Sequence, residues 1–451
     1  MKPNTSWTSS KKTSDEQLRD LVARVRAAGV VGAGGAGFPA WRKLEGAPGA
    51  DTLILNGAEC EPLLHADYYC LLHYGDKVLA AADAIRGLLG IRDVAVAVKK
   101  KRRRLREHLA RLAAAYPGFR MLELSDTYPS GDEHLLVQTA TGRIVPQGGI
   151  PPAVGCLVQN VQTLAHIYDA LDGRPVTHRF VTIAGAVARP STFEAPIGTP
   201  LAHLLEQSGG VTCPEPRFLA GGAMMGELVE LDYGIRKTTS GILVLPAQNP
   251  AVEERVQSLE RAARVSMSVC DQCFACTELC PRYLLGHDIQ PHLLMRRAPQ
   301  VLEQPADADH IGWYCCECGV CSLIACPLRI TPRRLIGAMK RKLAPSAKRG
   351  KAGYALHPDY HRKGLPIRYV MARLDLARYD TANAFCGPAT GVDHVRIDLN
   401  EFGGGSAEPA VTAGQRVLSG EIVGQGRHTP FHASIGGVVR AVGRSVEIQA
   451  G

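Results

Sequence analysis

Two closely spaced cysteine runs constrain this chain more than any other feature of its sequence. The first run follows C-x2-C-x2-C-x3-C, the second has one extra residue before its last cysteine, and a proline comes directly after each. This is the spacing of bacterial ferredoxins, in which the fourth cysteine of each run binds the cluster of the other. We therefore expect two [4Fe–4S] clusters, one with the ligands Cys270, Cys273, Cys276 and Cys326, and one with Cys315, Cys318, Cys321 and Cys280.

Structural zinc is the alternative for these cysteines. A zinc site takes four ligands, typically from two CxxC pairs, and eight thiols in two matched runs exceed that need. Cys316 lies outside the spacing and is expected to be a bystander. Ordinary buried thiols are expected at the scattered positions Cys60, Cys70, Cys156, Cys213 and Cys386.

The length and composition indicate a globular protein of several domains. The chain has 451 residues, of which 45% are hydrophobic and 21% charged, a balance that excludes a disordered chain. Its apolar runs fall short of the roughly 18 residues that a membrane span needs. The first residues lack the apolar core of a signal peptide, so we expect a soluble cytoplasmic protein.

The formal charge of +9 is concentrated in two places, residues 99–106 and residues 329–351, and the rest of the chain carries more acidic than basic residues. We interpret the first stretch as a solvated helix start that could also steer an anionic dinucleotide. The second follows Cys326, where positive charge could favour reduced clusters or dock an acidic electron partner through residues such as Arg333 and Arg334. No recognised module or interleaved aromatic residues favour nucleic-acid binding.

Hydrophobic patterning predicts a parallel α/β sheet over residues 51–165. Buried strands at 51–56 and 93–98 alternate with helices at 78–90 and 103–116, which is typical of such sheets. An amphipathic helix is expected at 16–28, as a packed helix or as a docking or targeting helix.

A glycine-rich segment, GAGGAGFP at 32–39, formally matches the G-x-G-x-x-G dinucleotide fingerprint. That fingerprint must follow a strand and open a helix. Here a helical pattern precedes the segment, and Pro39 interrupts it. The residues therefore indicate only a loop whose backbone closely approaches a phosphate or a flat ring.

Four motifs, GAGGAGFPAWRK (32–43), NGAECEP (56–62), YPSGDE (128–133) and QNVQT (159–163), occur in that order. Together they resemble the flavin-binding subunit of respiratory complex I and its relatives. The resemblance implies an FMN site formed by Gly32, Gly34, Lys43, Asn56, Glu59, Gly131, Asn160 and Thr163. It also implies a nicotinamide nucleotide near Phe38, Glu61 and Glu133. A solvated turn is the alternative for the acidic residues of NGAECEP.

This sequence departs from the complex I pattern at three positions. Ala33 stands where complex I commonly has an arginine, and Asp132 and Gln159 differ from its usual residues. These departures bear more on the NADH assignment than on the FMN assignment.

Two groups of relatives combine a flavin domain with clusters, namely the C subunit of the Rnf electron-transport complex and the cobalamin reductases of propanediol-utilisation microcompartments. Residues 185–210 and 221–226 resemble a soluble-ligand-binding β-grasp (SLBB) domain, and residues 411–439 resemble a barrel-sandwich hybrid. The last lysine is Lys363, which excludes lipoylation or biotinylation of that last module. In the Rnf protein this module precedes the flavin domain, so its position after the clusters favours the cobalamin-reductase type.

The resemblance implies a multidomain α/β protein with a Rossmann-like FMN domain. Its predicted parts are a polar tail (1–16), an FMN/NADH-binding α/β domain (17–177), an SLBB β-grasp domain (178–250), a helical, ferredoxin-type 2[4Fe–4S] domain (251–345), a linker or connection (346–390) and a barrel-sandwich hybrid (391–451).

The implied activity is electron transfer from NADH through FMN and the two clusters to cobalamin, from cob(III)alamin to cob(II)alamin and towards cob(I)alamin for adenosylation. The implied setting is a bacterial microcompartment, with an adenosyltransferase and shell proteins as partners. No acid–base residues are required, because the cofactors carry the chemistry. An Rnf C-like electron-transfer protein and a non-catalytic electron-transfer adaptor for another compartment protein are the alternatives.

Overall fold

The computed structural model describes residues 14–304, 312–342 and 354–451. The first 13 residues of the predicted polar tail lie outside these ranges, and Ser14 already begins a helix. The prediction of a helix at 16–28 is therefore confirmed. Within the described residues, no helix is both long and apolar enough to cross a membrane.

A four-stranded parallel sheet forms the first unit, in the order β3-β2-β1-β5. Its central strands are buried aliphatic runs because helices cover both faces. The elements are α1 (Ser14–Ala27), α2 (Ala40–Glu45), β1 (Thr52–Gly57), α3 (Ala66–Leu89), β2 (Asp93–Lys99), α4 (Arg103–Ala113), β3 (Phe119–Leu124), β4 (Thr127–Tyr128), α5 (Glu133–Thr141), β5 (Cys156–Asn160) and α6 (Val161–Leu171).

The strand order reverses beside β1. The chain runs from β1 through β2 to β3 and then places β5 on the other side of β1. Ligands of open α/β sheets bind at such a reversal, outside the carboxyl ends of the strands. Asn56 and Asn160 are register partners at those ends. The fold thus brings two residues of the predicted FMN site together.

The second unit is a mixed sheet packed on one short helix. It contains β6 (His178–Gly185), β7 (Ser191–Pro196), α7 (Leu201–Gln207), β8 (Pro216–Ala220), β9 (Glu227–Val229) and β10 (Gly241–Pro246). This arrangement agrees with the expected β-grasp domain.

Short helices carry the two cysteine runs. They are α8 (Pro250–Val256), α9 (Leu259–Val269), α10 (Ala275–Glu278), α11 (Pro281–Leu284), α12 (Pro291–Met295), α13 (Ala298–Glu303) and α14 (Pro332–Lys342). The extra residue of the second run lies in a π-helical turn, Val320–Ala325. A π-helical turn accommodates one inserted residue, so the two runs differ in spacing without losing their common plan.

Residues 346–390, predicted to be a linker or connection, contain regular secondary structure. Their described part forms β11 (Leu365–Pro366), α15 (Ile367–Arg373) and β12 (Ala384–Pro388). Strand β12 pairs with β7 and completes a six-stranded sheet in the order β12-β7-β6-β10-β8-β9. Strand β11 pairs with β4 of the first unit, so this segment ties the units together.

Two small antiparallel sheets enclose one core at the C-terminus, as a barrel-sandwich hybrid requires. Their orders are β13-β19-β18-β15 and β14-β16-β17. The strands are β13 (His394–Asp398), β14 (Glu408–Pro409), β15 (Arg416–Val417), β16 (Ile422–Gln425), β17 (Pro430–His432), β18 (Gly437–Val442) and β19 (Ser445–Gln449).

Candidate functional site

The glycine loop lies against the start of α6 at the crevice beside β1. The backbone N–H of Ala33 donates a 2.9 Å hydrogen bond to the hydroxyl of Thr163. The side chain of Asn160 caps α6 by accepting from the N–H groups of Gln162 and Thr163. A β-carbon added at Gly34 would stand 3.7 Å from the Asn160 side chain. This is an ordinary van der Waals distance, so the loop lies close to the Asn160 side chain without a clash.

Lys43 and the loop at Tyr128–Glu133, here called the flavin loop, form the facing wall. The ammonium of Lys43 donates to the carbonyl of Val158 at 3.2 Å and pairs with the carboxylate of Glu133. The amide of Asn56 donates to the carbonyl of Gly131 at 2.9 Å. The crevice thus has a cation and several backbone and amide groups.

These residues fit an FMN. Among the described residues, Ser130 Oγ and Gln159 Nε2 are buried without a hydrogen-bond partner. Gly35 has a φ of +116°, and no atom lies within 4 Å of the β-carbon position that it lacks. An FMN brings a phosphate, hydroxyls and ring carbonyls to such an open backbone, such a cation and such unpaired polar atoms.

The two acidic residues of NGAECEP have partners other than those that the resemblance implies. Glu59 accepts from the N–H groups of Asp67 and Tyr68 at the start of α3. Glu61 accepts from the N–H groups of Met224 and Met225, at 2.9 and 2.8 Å. Burial raises the pKa of both glutamates to about 7. Both carboxylates thus bind backbone N–H groups of the protein, and the roles of Glu59 beside FMN and Glu61 beside NADH remain predictions.

The C-terminal module packs beside the glycine loop, which the sequence did not predict. Phe38 meets the ring of Phe402 edge-on at 5.1 Å. The ammonium of Lys237 donates to the carbonyls of Gly29 and Pro430, at 2.8 and 2.9 Å, and burial lowers the pKa of Lys237 to about 7. No local pattern could have indicated these contacts, because Lys237 and Gly29 alone are 208 positions apart in the sequence.

The eight predicted cluster ligands lie around two cavities. One cavity is lined by the inner set, which we define as Cys280, Cys315, Cys318 and Cys321. The other cavity is lined by the outer set, which we define as Cys270, Cys273, Cys276 and Cys326. Each set takes three thiols from one run and one from the other, the grouping that the ferredoxin spacing predicts.

The two cavities differ in their exposure to solvent. Every cysteine of the inner set is buried, with 7 to 9% of its surface exposed. In the outer set, Cys273 is exposed, and the neighbouring Phe274 and Leu328 are 48% and 42% exposed. A cluster in the outer cavity would therefore lie within reach of an external acceptor.

Over residues 14–304, 312–342 and 354–451, no three Cys, His, Asp or Glu side chains are arranged to hold one metal ion. Cys316, expected to be a bystander, also lines the inner cavity, next to its ligand candidates.

The flavin loop contacts the inner set directly. The hydroxyl of Tyr128 donates to the carbonyl of Cys318 at 2.6 Å. The guanidinium of Arg282 pairs with the carboxylate of Asp132 at 2.8 Å. The chain thus places a loop of the predicted FMN site against the buried cavity rather than the exposed one.

Some residues of each basic stretch are paired within the protein, and others of the first stretch, such as Arg103, are exposed. Lys99 is 5% exposed, and it and Lys101 pair with Asp126 at 3.0 and 2.8 Å. The first stretch is therefore only partly a solvated helix start.

In the second stretch, Arg333 is 8% exposed and pairs with the carboxylate of Glu254. Arg334 donates to the carbonyl of Glu254 at 2.9 Å. These two arginines hold α14 to α8 and do not form an exposed docking surface. Residues 343–351 of this stretch lie outside the described residues.

Three domain families match the chain. The Nuo51 FMN-binding domain matches residues 25–169, the SLBB domain matches residues 180–228, and the 4Fe-4S dicluster domain matches residues 269–331. These matches confirm the fold expected for the first three units.

One related protein matches over most of the chain, and two others match over a part of it. Cobalamin reductase PduS of Salmonella typhimurium is 38% identical, over 95% of this chain and 95% of the relative. The C subunit of the ion-translocating oxidoreductase complex of Pseudomonas aeruginosa is 38% identical, over 60% of this chain and 34% of the relative. The C subunit of the proton-translocating ferredoxin:NAD(+) oxidoreductase complex of Clostridium ljungdahlii is 35% identical, over 61% of this chain and 58% of the relative.

A solved structure supports the fold. The crystal structure of an NAD+-reducing [NiFe]-hydrogenase in the H2-reduced state matches with a TM-score of 0.50 and 19% identity, over 76% of this chain and 67% of that chain.

Proposed function

The chain belongs to the family of the cobalamin reductase PduS and is a flavoprotein oxidoreductase, and from that premise we propose that it reduces a corrinoid with electrons from NADH. The observation that carries the proposal is the match to PduS over 95% of both chains. It is supported by the contacts between the flavin loop and the buried inner cysteine set. The Clostridium ljungdahlii relative is named as part of a ferredoxin:NAD(+) oxidoreductase complex, which supports a nicotinamide nucleotide as the donor.

The flavin side of the proposal assigns roles to the crevice residues. Lys43 offers a cation, the glycine loop with Gly32 and Gly34 offers backbone N–H groups, and Asn56, Gly131, Asn160 and Thr163 shape the pocket around FMN. Phe38 and Glu133 lie at the same crevice, where they would meet the nicotinamide nucleotide. A bound flavin supplies the change from two-electron hydride chemistry to one-electron transfer.

The inner set is the proposed ligand set of the cluster nearest the flavin. Support comes from the hydrogen bond of Tyr128 to Cys318 and from the burial of all four cysteines. The outer set is the proposed ligand set of the cluster nearest the acceptor, because Cys273 is exposed. Two [4Fe–4S] clusters in these positions supply one-electron steps between a flavin and a cobalt centre.

The proposed physiological role is the supply of reduced corrinoid to an adenosyltransferase. By analogy with PduS, we place the protein with shell proteins in a bacterial microcompartment. An adaptor that passes electrons to another protein without binding corrinoid is the second candidate, since the outer cavity is bordered by exposed apolar side chains such as Phe274 and Leu328.

The test uses anaerobically reconstituted full-length protein with NADH and free cobalamin and no partner protein. We expect bleaching of the flavin absorbance and conversion of cob(III)alamin to cob(II)alamin at a rate that depends on enzyme concentration. Flavin bleaching without cobalamin reduction would favour the adaptor. Absence of both would contradict the proposal.

A further inference from the structure

A buried ion pair joins the flavin loop to the inner cavity. Asp132 and Arg282 lie 2.8 Å apart, with 11% and 12% of their side chains exposed. Asp132 also caps α5, accepting from the N–H groups of His134 and Leu135. Arg282 follows Cys280 by two residues and lines the inner cavity. The pair therefore spans two domains at the point where they meet.

Both members of the pair carry their charge at neutral pH. Burial alone would raise the pKa of Asp132, but the charge of Arg282 and its hydrogen bond outweigh burial and hold that pKa below its usual value. Removing one partner of a buried pair exposes the other as an uncompensated charge. The cavity wall thus carries a positive charge that a carboxylate of another domain neutralises.

The sign of a nearby charge governs how readily a cluster is reduced. A one-electron reduction makes a [4Fe–4S] cluster one unit more negative, so an uncompensated positive charge favours the reduced form and an uncompensated negative charge disfavours it. Arg282 alone would therefore raise the reduction potential of an inner cluster, and Asp132 counteracts it.

We propose that Asp132 and Arg282 are positioning residues that fix the flavin loop to the inner cysteine set and set the reduction potential of the inner cluster through their combined charge. This inference rests on the proposed function only in that it places a cluster in the inner cavity. It does not depend on which donor or acceptor the protein uses.

The test is a redox titration of the reconstituted holoprotein with dithionite and mediator dyes, followed by EPR. At the wild-type midpoint of the inner cluster, we expect Asp132→Asn to raise the reduced-to-oxidised ratio at least about threefold and Arg282→Gln to lower it by a similar factor. The double variant is expected to return towards the wild-type value. The outer cluster is the internal control, and Asp51→Asn with Arg143→Gln, a pair at the start of β1, is the matched control.

Opposite shifts of the reduced-to-oxidised ratio in the two single variants distinguish a charge effect from damage to the fold. Damage would shift the ratio in the same direction in both variants or remove the EPR signal of the inner cluster from both. Arg282→Lys keeps the charge and is expected to stay within about twofold of the wild-type ratio. Single variants that shift in the same direction or not at all, or a lysine variant that behaves like the glutamine variant, would overturn the proposal. Failure of cobalamin reduction by NADH leaves these titrations unaffected, so the two failures are distinguishable.

Discussion

The hydroxyl of Tyr128 donates a 2.6 Å hydrogen bond to the backbone carbonyl of Cys318. Tyr128 is 3% exposed and Cys318 is 7% exposed, so this bond is shielded from water. It joins a loop that resembles a flavin contact to a loop that carries a predicted cluster ligand, across 190 positions of sequence.

Tyr128→Phe should weaken the inner cluster site. The variant keeps the ring but leaves a buried carbonyl without its donor, which costs about 1–3 kcal/mol. We expect the inner cluster to be lost to an iron chelator at least about threefold faster, as followed by EPR. Tyr116→Phe, which lies against Phe119 at the far edge of the first sheet, is the control. Equal rates of loss in the two variants would contradict the prediction.

Lys43→Met should lower the affinity for FMN. The side chain keeps its length but loses the charge that pairs with Glu133 and faces Val158. Since a charge-assisted contact is roughly twice as strong as a neutral one, we expect the FMN dissociation constant to rise at least about tenfold in fluorescence titration. Lys77→Met removes a lysine that pairs with Asp169 in the same domain, and it should leave the affinity unchanged. An unaltered constant in the Lys43 variant would exclude this role.

Glu61 should make stability depend on pH in a defined direction. Burial raises the pKa of Glu61 from 4.5 to about 7, so the folded state binds a proton more tightly than the unfolded state. The stabilisation is complete below pH 4.5 and is lost as the pH rises through about 7. In the wild type, the contribution of Glu61 to the free energy of unfolding should fall by on the order of 2 kcal/mol between pH 5 and pH 8. Glu61→Gln should remove this pH-dependent decrease.

The measurement is urea unfolding of the anaerobic holoprotein at several pH values. Glu59 has a pKa shifted in the same direction, so the variant should keep part of the wild-type slope. A variant whose slope equals that of the wild type would show that the pKa of Glu61 is not raised in the folded protein.

Arg333→Ala should lower the free energy of unfolding by about 1.5–3 kcal/mol, because it removes the closer of two cations from the buried carboxylate of Glu254 and leaves only Arg255, at 3.7 Å. Arg329→Ala is the control, since Arg329 is exposed and lies 3.7 Å from the exposed Glu253, and it should cost at most about 1 kcal/mol. Denaturant unfolding compares the two. The salt dependence of electron transfer should be the same in both variants, and a large change confined to the Arg333 variant would restore the docking interpretation.

Local patterns predicted much of this fold. The aliphatic runs of β1 and β2 and the helix at Ser14–Ala27 could be read from periodicity, because burial acts on neighbouring residues in a regular element. The grouping of cysteines followed from ferredoxin spacing, since three thiolates two residues apart wrap one cluster.

Contacts between domains could not be predicted in the same way. Glu61 meets the N–H groups of Met224 and Met225, and Asp132 meets Arg282, through folding of segments about 150 residues apart. Asp132 stood out in the sequence only as a departure from the complex I pattern. Its buried partner in the cysteine-rich unit gives that departure a physical reason.

We expect electrons to reach the inner cluster before the outer one. The most direct measurement is rapid-freeze EPR of the anaerobic holoprotein after mixing with NADH, in the variants Cys273→Ala and Cys318→Ala. This order of reduction predicts that the Cys273 variant still reduces its inner cluster at the wild-type rate but no longer reduces cobalamin, whereas the Cys318 variant bleaches its flavin and leaves the outer cluster oxidised. Reduction of the outer cluster at the wild-type rate in the Cys318 variant would contradict it.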